Sequence, residues 1–198
     1  MKNFYAIIEA ENLQFVRQSG DDCKLLFRVL IAGEDRRARY HLGIDPVSIL
    51  RALAVGVLTG RVAGLSTIEQ QLARTLVPRI ESPLRSKPRE LLIALRLSAQ
   101  FPKEVLWGAY LNMAYLGADW DDFRSARTTL AGGGQLDLVG ASAIIACLKY
   151  PKPEHDEVSW EVRHRRRVKH LVRLASRTES TSSGRGLFRR DGPQEKAV

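Results

Sequence analysis

Long apolar runs are missing from this chain of 198 residues. No stretch reaches the roughly 18 to 20 apolar residues that a helix needs to cross a bilayer. The start, MKNFYAIIEAENL, joins a lysine to a short apolar run. Glu9 and Glu11 interrupt that run before the roughly 7 to 15 residues of a secretory signal. The sequence is therefore expected to carry neither signal nor anchor. Cysteine is scarce as well. Cys23 and Cys147 have no metal-ligand spacing and exclude a disulfide framework, and Cys147 in SAIIACL is expected to be a buried apolar residue. No alternating strand pattern competes with the helical periodicities, which leaves a mostly α fold. Acidic residues are outnumbered: 31 Lys and Arg stand against 22 Asp and Glu, a formal net charge of +9. The natural partners are anions, and charge alone does not separate phosphate-bearing substrates, acidic lipid surfaces and nucleic acid. The remaining composition, 44% hydrophobic and 27% charged, is that of one globular domain with tails.

Residues 1–24 show mixed polarity without a strong period and read as an N-terminal extension of uncertain structure. Residues 25–176 carry dense helix signals and form the domain. Asp45-Pro46 is a helix cap with proline at the first helical position, and the segment it opens, VSILRALAVGVL, is apolar almost all round. Gly60 is a plausible stop. Too short to span a membrane, the segment is either buried or laid into a lipid surface. Ser66 with Glu69 reads as a capping box for a helix ending before Pro78. Residues 80–88 read as an exposed loop, and Ser86 as the cap of a helix through Gln100. Further helices follow from Pro102, from LDLVGASAIIACLKY after Gly132-Gly133-Gly134, and from Trp160 to Ser176, where six cations crowd the polar face. Residues 177–198 are polar, Gly/Ser-rich and expected to be disordered.

Two glutamates could carry chemistry. Glu34 lies between an apolar stretch and Arg36, Arg37 and Arg39, and suits a general base for a sugar hydroxyl, or a solvated ion pair. Glu90 opens a helix with Lys87 three residues before it, and could be no more than a local ion pair. Between them Ser66, Thr67, Gln70, Gln71 and Arg74 gather hydroxyls, amides and a cation at one helix N-terminus, a setting that binds phosphate. The late arginine run is a solvated face, a lipid-headgroup surface or a nucleic-acid surface, although it lacks aromatics for stacking.

Taken together, these blocks resemble the peptidoglycan glycosyltransferase (transglycosylase) domain of penicillin-binding proteins and its monofunctional relatives. Motif one appears as Glu34, Asp35, His41 and Gly43. Motif two is matched by Gly64, Ser66, Thr67, Ile68, Gln70, Gln71 and Leu72, and motif three by Lys87 and Glu90. Motif four is matched by Lys103, Tyr110, Leu111 and Asn112, and motif five by Arg166, Arg167 and Leu171. The resemblance implies a lysozyme-like helical fold of two lobes around a cleft, polymerising lipid II with inversion and release of the lipid diphosphate. It assigns catalysis to Glu34 and Glu90, and substrate binding to Asp35, His41, Ser66, Thr67, Gln70, Gln71, Arg74, Lys87 and Asn112. It allows Mg2+ at the diphosphate, although no metal-ligand cluster is visible in the sequence. Its implied partners are lipid II, the growing glycan, the membrane surface at the periplasmic face of the inner membrane and other cell-wall synthesis proteins, with no nucleic acid. The chain departs from the pattern at Ala38, Leu65, Glu69, Ser86 and Gly108, and Glu69 is expected to place negative charge near the diphosphate. Those departures give the alternative: a non-catalytic module that binds lipid II or a membrane.

Overall fold

The structure, a computed structural model, describes residues 2–59, 66–77, 83–132 and 134–183. Among them are nine α-helices: α1 Lys2–Ser19, α2 Cys23–Glu34, α3 Pro46–Thr59, α4 Ile68–Leu76, α5 Pro83–Gln100, α6 Lys103–Met113, α7 Phe123–Ala131, α8 Leu138–Cys147 and α9 Glu157–Ser183. The described residues contain no named strand, only an isolated bridge between Gly117 and Lys152. The helical expectation holds.

At the centre lies α8, whose buried residues include Ala141, Ile144, Ile145 and Cys147. A segment apolar on every side must be surrounded, and α2, α7 and α9 pack against it. Asp137 caps it, its side chain accepting from the Gly140 amide at 2.7 Å. Burial pushes the Cys147 thiol up to about 12, so this sulfur behaves as a core atom. In α2 the residues Leu26, Val29 and Leu30 form a stripe at helical spacing. The close approach of α2 to α9 depends on Gly33, where an added Cβ would lie 2.4 Å from Leu171 Cδ2. That approach carries Arg167 to the end of α2.

Several sequence expectations change. Residues 2–19, read without a period, form α1, which packs along α6. The missed signal is buried Ile8 and Phe15, seven residues apart on one face. The fit depends on Gly108, where a Cβ would meet Asn12 Oδ1 at 2.3 Å. Residues 123–131, given no helix from the sequence, form α7 behind a capping box of Asp122 and Ser125. Within the expected 80–88 loop, α5 is already helical from Pro83. Ser86 therefore lies inside the helix rather than capping it, and Pro88 is accommodated there. The last helix begins at Glu157 and continues to Ser183, so the polar tail is helical that far. Gly60, Gly64, Leu65, residues 80–82, Gly133 and residues 184–198 lie outside the described residues. The apolar helix α3 begins at Pro46 as expected, but it is not buried. Leu50 is 70% exposed, Val47 and Val55 are also exposed, and α3 has no substantial packing partner among the described residues.

Candidate active site

Glu34 ends α2 and lines a polar concavity of about 200 Å³ together with Asp35, Arg37, Ser48, Ser66 and Thr67. Its Oε1 accepts from Arg167 Nη2 at 2.8 Å, and the same guanidinium donates to the Gly33 carbonyl at 3.0 Å. Arg167 thus fixes both the carboxylate and the last turn that presents it. Asp45 caps α3 by accepting from the Val47 amide and the Ser48 hydroxyl, and it pairs with Arg37 at 3.1 Å. Burial alone would raise its pKa, but Ser48 and Arg37 outweigh that and hold it below the usual carboxylate range.

Ser66 links this concavity to a second cluster. Its hydroxyl accepts from Lys87 Nζ at 3.0 Å and from Arg74 Nη2 at 3.4 Å. Both cations also reach Glu90: Arg74 donates to both oxygens, at 3.3 and 3.1 Å, and Lys87 Nζ lies 3.5 Å from Oε2. Ser86 Oγ donates to Oε1 at 3.1 Å. Burial would raise the Glu90 pKa, but Arg74, Ser86 and Lys87 prevail and lower it. Lys87 is shifted downward by burial and by Arg74, against the opposing pull of Glu90. Two cations meet one carboxylate here, which leaves a surplus positive charge.

Tyr110, from α6, feels the charges of both Glu34 and Arg74. Burial and the Glu34 charge push its phenol well above the ordinary value, with Arg74 opposing. Its hydroxyl donates to Gln71 Oε1 at 2.7 Å. On α4, Gln70 accepts from Lys87 at 2.9 Å and donates to the Gly43 carbonyl at 3.3 Å. Nine of the predicted site residues therefore converge: Glu34, Asp35, Ser66, Thr67, Gln70, Gln71, Arg74, Lys87 and Glu90.

Asn112 and His41 sit differently. Asn112 donates from Nδ2 to Glu11 on α1 at 2.6 Å, away from the cluster around Glu90. Asp35 and His41 form a buried pair, with His41 Nε2 2.9 Å from Asp35 Oδ2. The predicted cap moves by one residue. Thr67, not Ser66, caps α4, accepting from the Gln70 amide at 3.2 Å and donating to the Gly43 carbonyl at 2.7 Å. Glu69 is likewise no capping-box partner. It is fully buried, and Lys103 Nζ donates to its Oε1 at 2.6 Å. The carboxylate expected near a diphosphate is thus internal and paired with an ammonium.

Sequence reasoning left Arg167 out of the site, and its motif-five position was the available signal. Arg167 also borders a cationic groove of about 440 Å³ along α9, lined with it by Lys149, Arg163, Arg166, Lys169 and Arg173. Burial and the surrounding cations Arg167, Arg36, Lys149 and Arg173 depress the pKa of His170 there.

The family description "Transglycosylase" matches residues 3–174. Penicillin-binding protein 1A of Aquifex aeolicus is 42% identical over 129 residues, covering 64% of this chain and 18% of that protein. Penicillin-binding protein 1B of Haemophilus influenzae is 41% identical over 99 residues, covering 50% and 13%. Penicillin-binding protein 1A of Escherichia coli is 40% identical over 93 residues, covering 46% and 11%. The chain thus spans less than a fifth of the length of these relatives.

Proposed function

From the premise that the chain belongs to the transglycosylase family, we propose that it is a peptidoglycan glycosyltransferase that polymerises lipid II. The observation that carries this reading is the Ser66 bridge. It joins the concavity holding Glu34 to a cluster with surplus positive charge.

In this reading the acceptor sugar lies in the concavity and Glu34 takes the proton of its 4-hydroxyl. Arg167 holds Oε1, so Oε2 is the oxygen that receives the proton. The freed oxygen pair forms a bond to the anomeric carbon of the donor as the bond to the diphosphate oxygen breaks. The leaving electron pair stays on the diphosphate, and attack opposite to departure inverts the anomeric centre. Arg74 and Lys87 meet the charge that develops on the leaving group, and stabilisation of that kind grows in a site that excludes water. Glu90 holds these two cations at the departure side and takes no proton itself. A positioned base contributes roughly 10²- to 10⁴-fold.

A divalent cation at the diphosphate fits these residues poorly. Both Glu90 oxygens are already occupied by Arg74, Ser86 and Lys87. No step is routed through such an ion.

The exposed apolar residues Leu50, Val47 and Val55 on α3 are the surface that meets the lipid tail. Among the described residues no helix is long and apolar enough to cross a membrane. Docking at the periplasmic face would then rest on α3, with lipid II and the growing glycan as the partners bound.

The test is purified protein with lipid II. Glycan polymer from the wild type, abolished in Glu34→Gln with the helical spectrum intact, is the expected result. Equal polymer from that variant removes Glu34 from its role. Lipid II binding without any polymer would favour the non-catalytic module.

A further inference from the structure

Beneath the Glu34 concavity, three buried side chains from separate parts of the chain converge: Asp35 after α2, His41 in the following loop and Glu69 in the first turn of α4. One ligand atom from each lies within 4.8 Å of the other two. The sequence spacing of 35, 41 and 69 matches no metal motif, so the cluster becomes visible only in the fold. The geometry points to a structural site for one divalent first-row metal cation, such as Zn2+ or Mn2+, bound by Asp35, His41 and Glu69.

Two observations beyond proximity support it. The first is unmet demand. Glu69 is fully buried, yet its Oε2 has no hydrogen-bond partner, and His41 Nδ1 is also without one. Buried carboxylate oxygens are rarely left so, and an ion is among the few things that satisfy them. The second is charge. Asp35 and Glu69 bring two carboxylates into a dry interior, where Lys103 supplies one ammonium, to Glu69 Oε1. The Ile68 amide reaches Asp35 Oδ2 at 3.4 Å and adds only a dipole. Two acidic side chains thus share one ammonium, and buried carboxylates are costly without close cationic partners.

The donor set selects the ion. One imidazole and two carboxylates suit Zn2+ and Mn2+, whereas an all-oxygen set would favour Mg2+ or Ca2+. Zn–N and Zn–O bonds are about 2.0–2.2 Å, so ligand atoms on a tetrahedral ion lie roughly 3.3–3.6 Å apart. The three side chains would turn inward on binding to reach that spacing from within 4.8 Å. Lys103 on Glu69 Oε1 would act from behind the ligand, as outer partners of metal carboxylates do. The ion would tie the end of α2 to α4 directly behind Glu34, and so hold the concavity in shape. It is separate from any ion at the diphosphate.

The experiment titrates chelator-stripped protein with Zn2+, and separately with Mn2+, by calorimetry and thermal denaturation. Expected are one ion per chain and a raised Tm. Glu69→Gln keeps the shape but loses the charge. Its binding should weaken by more than the roughly 10- to 100-fold that losing an outer-shell partner costs. X-ray absorption of the Zn2+-loaded wild type gives a reading even if that variant fails to fold, and one imidazole among oxygen ligands is expected. The site is overturned by the absence of saturable binding. It is equally overturned by unchanged affinity in Glu69→Gln, or by two or more imidazoles, which would indicate surface histidines. None of these readouts requires glycan synthesis, so the site and the proposed activity can fail independently.

Discussion

Glu34 and Glu90 are both glutamates at helix positions, and both are ion-paired, yet their surroundings suit them to different work. Glu34 has one guanidinium partner on one oxygen and lines an open polar concavity. Glu90 has both oxygens engaged by two cations and a hydroxyl, and its pKa is lowered as a result. A base needs an oxygen that can receive a proton, whereas a holder of cations needs its charge kept. The contrast assigns proton transfer to the first and electrostatic positioning to the second.

Exchanging each acid for its amide tests this directly. Glu34→Gln should lower polymerisation by roughly 10²- to 10⁴-fold with little change in denaturation midpoint. Glu90→Gln should do the reverse in emphasis. Arg74 and Lys87 would lose their shared counter-charge while half-exposed, for a loss of about 1–3 kcal/mol in urea denaturation. If Glu90→Gln leaves stability untouched and abolishes turnover as completely as Glu34→Gln, the division of labour is wrong.

Acid titration sharpens the same comparison. The folded pKa of Glu90 is depressed, so its contribution to stability is present above the ordinary value of 4.5 and is lost as pH falls below it. Asp45 acts in the same direction below its ordinary 3.8. Wild-type stability should therefore decline through that acidic window, and Glu90→Gln should decline less steeply there. Equal slopes would mean that the Arg74 and Lys87 contacts do not hold the carboxylate ionised in solution.

Much of this was legible beforehand, for physical reasons. The order of motifs and the apolar periodicities of α2, α4, α6 and α8 follow from local chemistry that one sequence displays. Nine of eleven proposed site residues meet because they sit at helix ends or on one face of α4. What stayed hidden depended on distant partners. Arg167 reaches Glu34 only because Gly33 lets α9 close on α2. Glu69 reads as a capping residue until Lys103, on another helix, takes it inward. Residues 2–19 gave no clear period, and α1 is recognised through its fit over Gly108.

The smallest expected effects come from two adjacent hydroxyls, of which the sequence pointed to Ser66 as the cap and the structure to Thr67. Ser66 accepts from Arg74 and Lys87, whereas Thr67 caps α4 and donates to the Gly43 carbonyl. Thr67→Val removes a cap and should cost about 1 kcal/mol of stability. Any loss of activity should follow from that, and recover on cooling. Ser66→Ala should leave stability within about 0.5 kcal/mol. It breaks the bridge between the concavity and the cations, so turnover should fall roughly tenfold, the worth of one charge-assisted hydrogen bond. Denaturation and lipid II turnover measured on both variants decide the matter. Reversed outcomes would make Ser66 the cap after all and leave the two acidic regions without their link.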